Sequence, residues 1–346
     1  MKIGNKIIGN NNPTFIIAEL SANHNGSIDV AIETIRAAKR SGADAIKLQT
    51  YTPETMTIDA NIPHFQINEG TLWDGKTLFD LYREAYTPWE WHETLFKVAK
   101  EEELICFSSP FDLTAVDFLE KFDVPAYKIA SFEIQDIPLI EYAASKMKPI
   151  IISTGIAELE DIELAVETCR NVGNNNIILL KCTSSYPAPL ELANLITIKD
   201  LETRFSVEVG FSDHTYGVLA PSIATTIGAK VIEKHFILNH SIGGPDADFS
   251  LDETEFSEMV KAIRDTEKLL GKVSYDVFEK VKKNRKFARS LFIVEDMNKG
   301  DIITRVNMRS IRPGNGMHPK HYNEILGKKV LQDIKRGTPL SFNLIE

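Results

Sequence analysis

The segment Val209-Gly-Phe-Ser-Asp-His214, followed after a helix-length interval by Val231-Ile-Glu-Lys-His235, decides how this chain is read. Each is a short apolar run of the kind that makes a buried strand, and each releases a histidine at its carboxyl end. In a parallel α/β barrel the carboxyl ends of the strands build the active site, so two imidazoles delivered to one rim point to a metal. A histidine after a strand is also a common structural residue or loop cap, and the pair alone leaves both readings open.

Working outward, similar runs occur at 15–19, 45–49, 105–108, 126–129, 150–153, 177–181, 208–211 and 231–233. Helical patterns lie between most of them. Residues 28–40 place Ile28, Ala31, Ile32, Ile35 and Ala38 on one face, 88–102 opens on Thr87-Pro88, and 158–172 and 252–270 follow, the last ended by Gly271. Alternation to a count of eight predicts a (β/α)8 TIM barrel. A doubly wound open sheet would show fewer units and a glycine-rich phosphate turn, which this sequence lacks. Ahead of the first run, Lys2-Ile-Gly4 and Lys6-Ile-Ile8 read as a small hairpin plugging the bottom of the barrel.

The 346 residues hold a barrel of about 250 with room for a smaller domain. The expected division is a catalytic barrel at 1–270, a linker at 271–288 and a small C-terminal unit at 289–346. That unit is punctuated by Lys299-Gly-Asp301, Arg312-Pro-Gly-Asn-Gly316 and Arg336-Gly-Thr-Pro339. The stretch 277–289 carries Lys280, Lys282, Lys283, Arg285, Lys286 and Arg289; without interleaved aromatics it reads as a solvated helix rather than a nucleic-acid contact. Residues 50–87 form a long connection bearing His64, Phe65, Trp73, Tyr82 and Tyr86, either a functional lid or a docked helical excursion.

A formal charge of −10, from 39 basic and 49 acidic residues, repels nucleic acid, anionic lipid and acidic small molecules, so an anionic substrate must meet a local basic pocket. Cys106, Cys169 and Cys182 are odd in number and form no CxxC pair, as expected of reduced thiols. The N-terminus lacks a signal-like apolar core and no run approaches the ~18 apolar residues of a membrane span. A cytoplasmic protein with no membrane or nucleic-acid partner is expected.

The expected strand ends carry Glu19, Lys47 and Gln49, Ser108 and Ser109, Lys128 and Ser131, Ser153 and Thr154, Lys181 with Ser184, Ser212 with His214, and Glu233 with His235. Burying a lysine costs several kcal/mol without a counter-charge, so Lys47 and Lys128 imply either paired carboxylates, Glu19 or Glu233, or a bound anion. Hydroxyls beside them on several strands favour an anion cup. Cys106 and Cys182, with no histidine adjacent in sequence, read as packed thiols. Tyr186 is either a substrate wall or a plain loop aromatic. With a cup on the same rim, His214 and His235 read as ligands of a divalent cation, with Asp246 near enough in sequence to add a carboxylate or to act through water. Two nitrogens with an oxygen-rich remainder favour Mn²⁺ or Mg²⁺, with Co²⁺, Zn²⁺ and Fe²⁺ open.

The ordered motifs Ile17-Ala-Glu-Leu-Ser-Ala-Asn-His24-Asn-Gly26, Asp44-Ala-Ile-Lys-Leu-Gln49, Phe107-Ser-Ser-Pro-Phe-Asp112, Tyr127-Lys-Ile-Ala-Ser131, Ser153-Thr-Gly155, Lys181-Cys-Thr-Ser-Ser-Tyr-Pro187, Gly210-Phe-Ser-Asp-His214 and Glu233-Lys-His235-Phe resemble the sialic acid synthase family. Arg312-Pro-Gly-Asn-Gly316 resembles the signature of that family's C-terminal SAF, or antifreeze-like, domain. The resemblance implies condensation of phosphoenolpyruvate with an open-chain N-acylated amino sugar, dependent on a divalent cation, in a domain-swapped homodimer whose tail covers the partner's barrel mouth. It implies His214 and His235 as metal ligands, and Lys47, Ser109, Lys128, Ser131, Ser153, Ser184 and Ser212 around phosphoenolpyruvate. Glu19, Gln49, Tyr186 and Asp246 would face the sugar or the reacting water, and Arg312 the sugar site of a partner chain. Ser184, Ser109 and Phe132 depart from the pattern of N-acetylneuraminate synthases, and Leu72-Trp-Asp74 points the same way. An added phenyl ring on a sugar-facing loop favours a 6-deoxy sugar, whose methyl replaces a hydroxyl that would otherwise need a partner.

Overall fold

A two-stranded hairpin, β1 (Lys2–Ile3) and β2 (Lys6–Ile7), precedes eight parallel strands: β3 (Phe15–Glu19), β4 (Ala45–Thr50), β5 (Ile105–Pro110), β6 (Tyr127–Ile129), β7 (Ile150–Ser153), β8 (Ile177–Cys182), β9 (Glu208–Asp213) and β10 (Val231–His235). They hydrogen-bond in chain order, and β10 pairs with β3 to close a barrel. The computed structural model describes residues 1–9, 12–68, 70 and 73–346. The chain divides into two compact units, Met1–Gly271 and Lys272–Glu346.

The chemistry of the runs explains the closure. Helices cover one face of each strand and the barrel interior the other, so Ile150-Ile-Ile152 and Ile177-Ile-Leu-Leu180 are buried throughout. Helix starts follow from local capping: Asp112 accepts from the amide of Ala115 at 2.7 Å, and Asp252 and Glu255 form a reciprocal capping box before the helix Glu253–Leu270. The hairpin lies at the amino-terminal end of the strands. Ile3 joins the barrel core, a Cβ at Gly4 would lie 3.1 Å from the side chain of Ile105 at the start of β5, and Lys6 pairs with Asp44 just before β4 at 2.9 Å.

Five strands run further than the apolar pattern indicates, β4 and β8 by one residue and β5, β9 and β10 by two. β9 continues to Asp213 and β10 to His235 because polar residues beyond the apolar run find partners across the ladder, Ser212 beside Glu233 and Asp213 beside Lys234. The connection 50–87 is a helical excursion, with helices at Pro53–Met56 and Leu78–Ala85. Leu72 of the loop motif lies outside the described residues, whereas the Trp73 indole N–H donates to the carbonyl of Pro245 at 3.3 Å.

The second unit pairs β11 (Ser290–Ile293) with β12 (Met308–Ile311) antiparallel. It has its own core, in which Leu291, Ile293, Met308, Ile325 and Leu340 are buried. The basic stretch forms exposed helical turns at Glu279–Lys282 and Lys283–Phe287. Among the described residues no helix is long and apolar enough to cross a membrane.

Candidate active site

Side chains alternate along a strand, so residues two apart at a strand end point the same way. That rule brings the polar residues of β3, β4, β5, β6, β9 and β10 together at the carboxyl rim. Lys47 is the hub. Its Nζ is 2.7 Å from Glu19 Oε2, 3.6 Å from Glu233 Oε1 and 3.2 Å from Ser109 Oγ. Lys128 Nζ stands 3.6 Å from the same Glu233 oxygen, which also accepts from Ser212 Oγ at 3.3 Å. Internal pairing of the lysines, the alternative to an anion cup, is therefore present.

The pairing is unevenly balanced. Burial pushes the Glu19 carboxyl up to about 7, with Glu233 adding to the rise and Lys47 opposing it. Burial works against the charge of Lys47, but Glu19 and Glu233 outweigh it and hold the ammonium above its ordinary value. Burial dominates at Lys128, whose value falls. Gln49 Nε2 donates to Glu19 Oε1 at 2.9 Å and to Ser21 Oγ at 2.8 Å. Ser21 in turn donates to Asp246 Oδ2 at 2.5 Å, so Glu19, Gln49, Ser21 and Asp246 form one chain. Burial raises the Asp246 carboxyl above its ordinary value.

A second group surrounds Gly155. Its amide donates to Ser131 Oγ at 3.1 Å. A Cβ there would overlap Ser184 Oγ and come within 2.7 Å of Ser131 Oγ and 3.0 Å of Cys182 Sγ. The hydroxyls of Ser153 and Ser184 are buried with no hydrogen-bond partner. Buried polar atoms are almost always paired, so the orphaned Ser184 hydroxyl against Gly155, with a second orphan at Ser153 on the end of β7, marks a place shaped for a ligand.

The two histidines stand side by side, ring centroids 5.4 Å apart. His214 Nδ1 lies 3.0 Å from the Thr183 carbonyl; a proton on that nitrogen leaves Nε2 as the ligand atom. His235 Nδ1 is buried without a hydrogen-bond partner and lies 3.8 Å from Asp246 Oδ2. Burial, with the His214 charge beside it, holds His235 well below the ordinary imidazole value. An orphaned buried nitrogen beside a second imidazole and a carboxylate fits a divalent cation that completes its shell with oxygen ligands. One group of three histidine or carboxylate ligand atoms lies within 4.8 Å among the described residues, and it is elsewhere: His240, Asp252 and Glu255. Two of those three form the capping box, and His240 Nε2 lies 3.1 Å from Glu255 Oε2. Helix capping accounts for that group.

Tyr186 lies across this centre, its ring centroid 4.3 Å from His214, 5.0 Å from Phe249 and 5.9 Å from Trp73. Arg312 is exposed in the turn after β12, in the second unit. Sequence reasoning passed over two further groups. Glu133, in the turn Ser131–Glu133 after β6, has a buried Oε2 without a partner and a carboxyl that burial pushes up to about 7. Its signal was a carboxylate two residues past Ser131. Cys182, read as a thiol with no neighbouring histidine, has its Sγ 3.7 Å from His214 Nδ1. Parallel pairing of β8 with β9 sets Cys182 beside Ser212, a proximity invisible along the chain. Burial works to raise this thiol, yet His214 holds it down at about 7.

A closed barrel with a charged, hydroxyl-rich rim and two rim histidines, followed by a separately cored tail, defines a class of barrel synthases. Residues 34–275 match the NeuB family model and 288–346 the SAF domain; the chain belongs to the NeuB family. It is 49% identical to the pseudaminic acid synthase of Campylobacter jejuni subsp. jejuni, over 98% of each chain. It is also 49% identical to that of Helicobacter pylori, covering 96% of this chain and 98% of the relative. The crystal structure of the N-acetylneuraminic acid synthetase of Leptospira borgpetersenii, in complex with citrate, superposes with a TM-score of 0.73 at 31% identity, covering 82% of this chain and 94% of that one.

Proposed function

We propose that the protein condenses phosphoenolpyruvate with 2,4-diacetamido-2,4,6-trideoxy-altrose and water to give pseudaminic acid and phosphate, a carbon–carbon bond-forming transfer of EC class 2.5.1. The observation that carries this is the 49% identity to pseudaminic acid synthases along nearly the full chain. The rim chemistry supports it.

Lys47, Lys128 and the serines 109, 131, 153, 184 and 212 hold the phosphate and carboxylate of phosphoenolpyruvate, with the Gly155 cradle admitting the phosphate oxygens. His214 and His235 hold the divalent cation, Mn²⁺ or Mg²⁺ before Co²⁺, and when bound it supplies a Lewis acid for the sugar aldehyde. Tyr186 and Phe249 wall the sugar and exclude water from the imidazoles. The methylene carbon of phosphoenolpyruvate bonds to the aldehyde carbon, the carbonyl electron pair moves onto the aldehyde oxygen, which takes up a proton to become a hydroxyl, and C2 is left electron-poor. The chain Glu19–Gln49–Ser21–Asp246 orients a water towards that carbon, and Glu19 accepts its proton. The C2–O bond to phosphate then breaks as the new C2 hydroxyl becomes the ketone, and its proton leaves with the phosphate. As in the family it resembles, the enzyme works in the cytoplasm as a homodimer in which Arg312 reaches the sugar of a partner chain.

The test is phosphate release from phosphoenolpyruvate with a panel of the altro sugar, its manno counterpart and N-acetylmannosamine, with and without EDTA. The altro sugar gives the highest kcat/KM, and EDTA stops turnover until Mn²⁺ is restored. A preference for N-acetylmannosamine would refute the sugar assignment.

A further inference from the structure

Behind the rim, on the opposite faces of β9 and β10 from the inward-facing Ser212 and Glu233, lies a buried ion pair that the reaction does not use. Lys234 Nζ is 2.7 Å from Asp213 Oδ2, and both side chains are fully buried. The ladder pairs Glu233 with Ser212 and Lys234 with Asp213, and ends there. The residues that follow on the two strands are His235 and His214. Each member of the pair thus directly precedes one of the two histidines.

The pair also captures the chain on the far side of His214. Asp213 Oδ1 accepts from the Thr215 amide at 2.8 Å, and Lys234 Nζ donates to the Thr215 carbonyl. The chain just past His214 is thus held at Thr215 by two charges rooted in neighbouring strands. A fully buried ion pair contributes little net stability, because desolvation offsets most of its attraction. What it supplies is a fixed relation between two strand ends, and here those ends bear the histidines.

We propose that Lys234 and Asp213 are positioning residues for a cation centre at His214 and His235, setting the spacing of the two imidazoles from behind the sheet. This rests on the reading of those histidines as metal ligands. Residues that orient metal ligands typically change affinity 10–100-fold when removed.

The experiment titrates Mn²⁺ into metal-free full-length protein and reads the free ion by electron paramagnetic resonance. It compares the parent, Asp213→Asn, the double variant Lys234→Met/Asp213→Leu and His214→Ala, and takes thermal unfolding of each without metal. The double variant keeps the buried volume apolar but leaves the Thr215 amide and carbonyl unpaired, so it unfolds below the parent yet stays folded at the assay temperature, while its Mn²⁺ Kd weakens tenfold or more. Asp213→Asn weakens binding in the same direction. A folded double variant that binds Mn²⁺ within twofold of the parent overturns the proposal, provided His214→Ala loses the ion. Weakening that appears only in variants that have also unfolded overturns it too, because the pair is then simply structural. If the parent binds no ion, or His214→Ala binds as tightly as the parent, the metal reading itself fails.

Discussion

Gly155→Ala puts a single methyl group into the cradle. The new Cβ would overlap Ser184 Oγ and crowd Ser131 Oγ at 2.7 Å and Cys182 Sγ at 3.0 Å, so both hydroxyls must swing away from the centre of the site. Gly155 is not among the glycines with positive φ, so alanine meets no backbone penalty, and the cost falls on the side chains. A hydrogen bond to a charged oxygen contributes about 1.5–3 kcal/mol. Losing one therefore weakens phosphoenolpyruvate about ten- to a hundredfold, and losing both about a hundred- to ten-thousandfold, at about 1.4 kcal/mol per decade. Local overpacking costs about 1–3 kcal/mol of stability. The assay is initial-rate phosphate release with each substrate varied at saturation of the other, alongside urea unfolding. KM for phosphoenolpyruvate rises at least tenfold while KM for the sugar stays within threefold. A folded variant whose KM for phosphoenolpyruvate changes less than threefold refutes the placement of the phosphate at this glycine.

Lys47→Met leaves Glu19 and Glu233 buried without their hub, and removing one partner of a buried charge pair costs about 3–5 kcal/mol; a loss under 1 kcal/mol in urea unfolding would mean that the carboxyls are not charged together. Glu19, raised from an ordinary 4.5 to about 7, binds its proton more tightly folded than unfolded, so its contribution to stability is lost as pH climbs from 4.5 to about 7. Over that same climb it becomes a carboxylate able to take a proton from water, so kcat of the parent rises with pH through or above about 7, and Glu19→Gln lacks that limb; an unchanged profile in the variant removes Glu19 as the proton acceptor.

The barrel was legible because its signal is local: each apolar run names a strand, and the count of eight names the closure. The rim residues were legible for the same reason, since a polar residue of inward parity at the end of an apolar run faces the barrel mouth. What stayed hidden depends on register between strands. Cys182 and His214, 32 residues apart, meet at 3.7 Å, and nothing along the chain says that β8 and β9 align Cys182 with Ser212. Lys234 illustrates the same limit. Read in Glu233-Lys-His235 it is another basic residue near the site, but its parity turns it away from the rim and onto Asp213. Glu133 lies at the far end of the turn Ser131–Glu133, where no strand alternation says which way a side chain points.

The lysine pairing changes how an anion enters an acidic protein. A cup of free lysines would need no adjustment; this one is already matched, Lys47 to Glu19 and both lysines to Glu233. An incoming phosphate competes with those carboxylates, and the weakest competitor is the one most easily neutralised. Burial works to raise Glu233, but Lys128 and Lys47 outweigh it and hold that carboxyl below its ordinary value, whereas Glu19 sits near 7 and is the carboxyl that can yield. A bound anion raises a neighbouring carboxyl further, so phosphoenolpyruvate and a proton on Glu19 favour each other. In the proposed mechanism, a proton that binding draws onto Glu19 would free Lys47 for the phosphate, and Glu19 would take a proton from water only after releasing that one. Substrate capture and water activation would, on that proposal, place opposite demands on one carboxyl, and a carboxyl that burial raises to about 7 is suited to both.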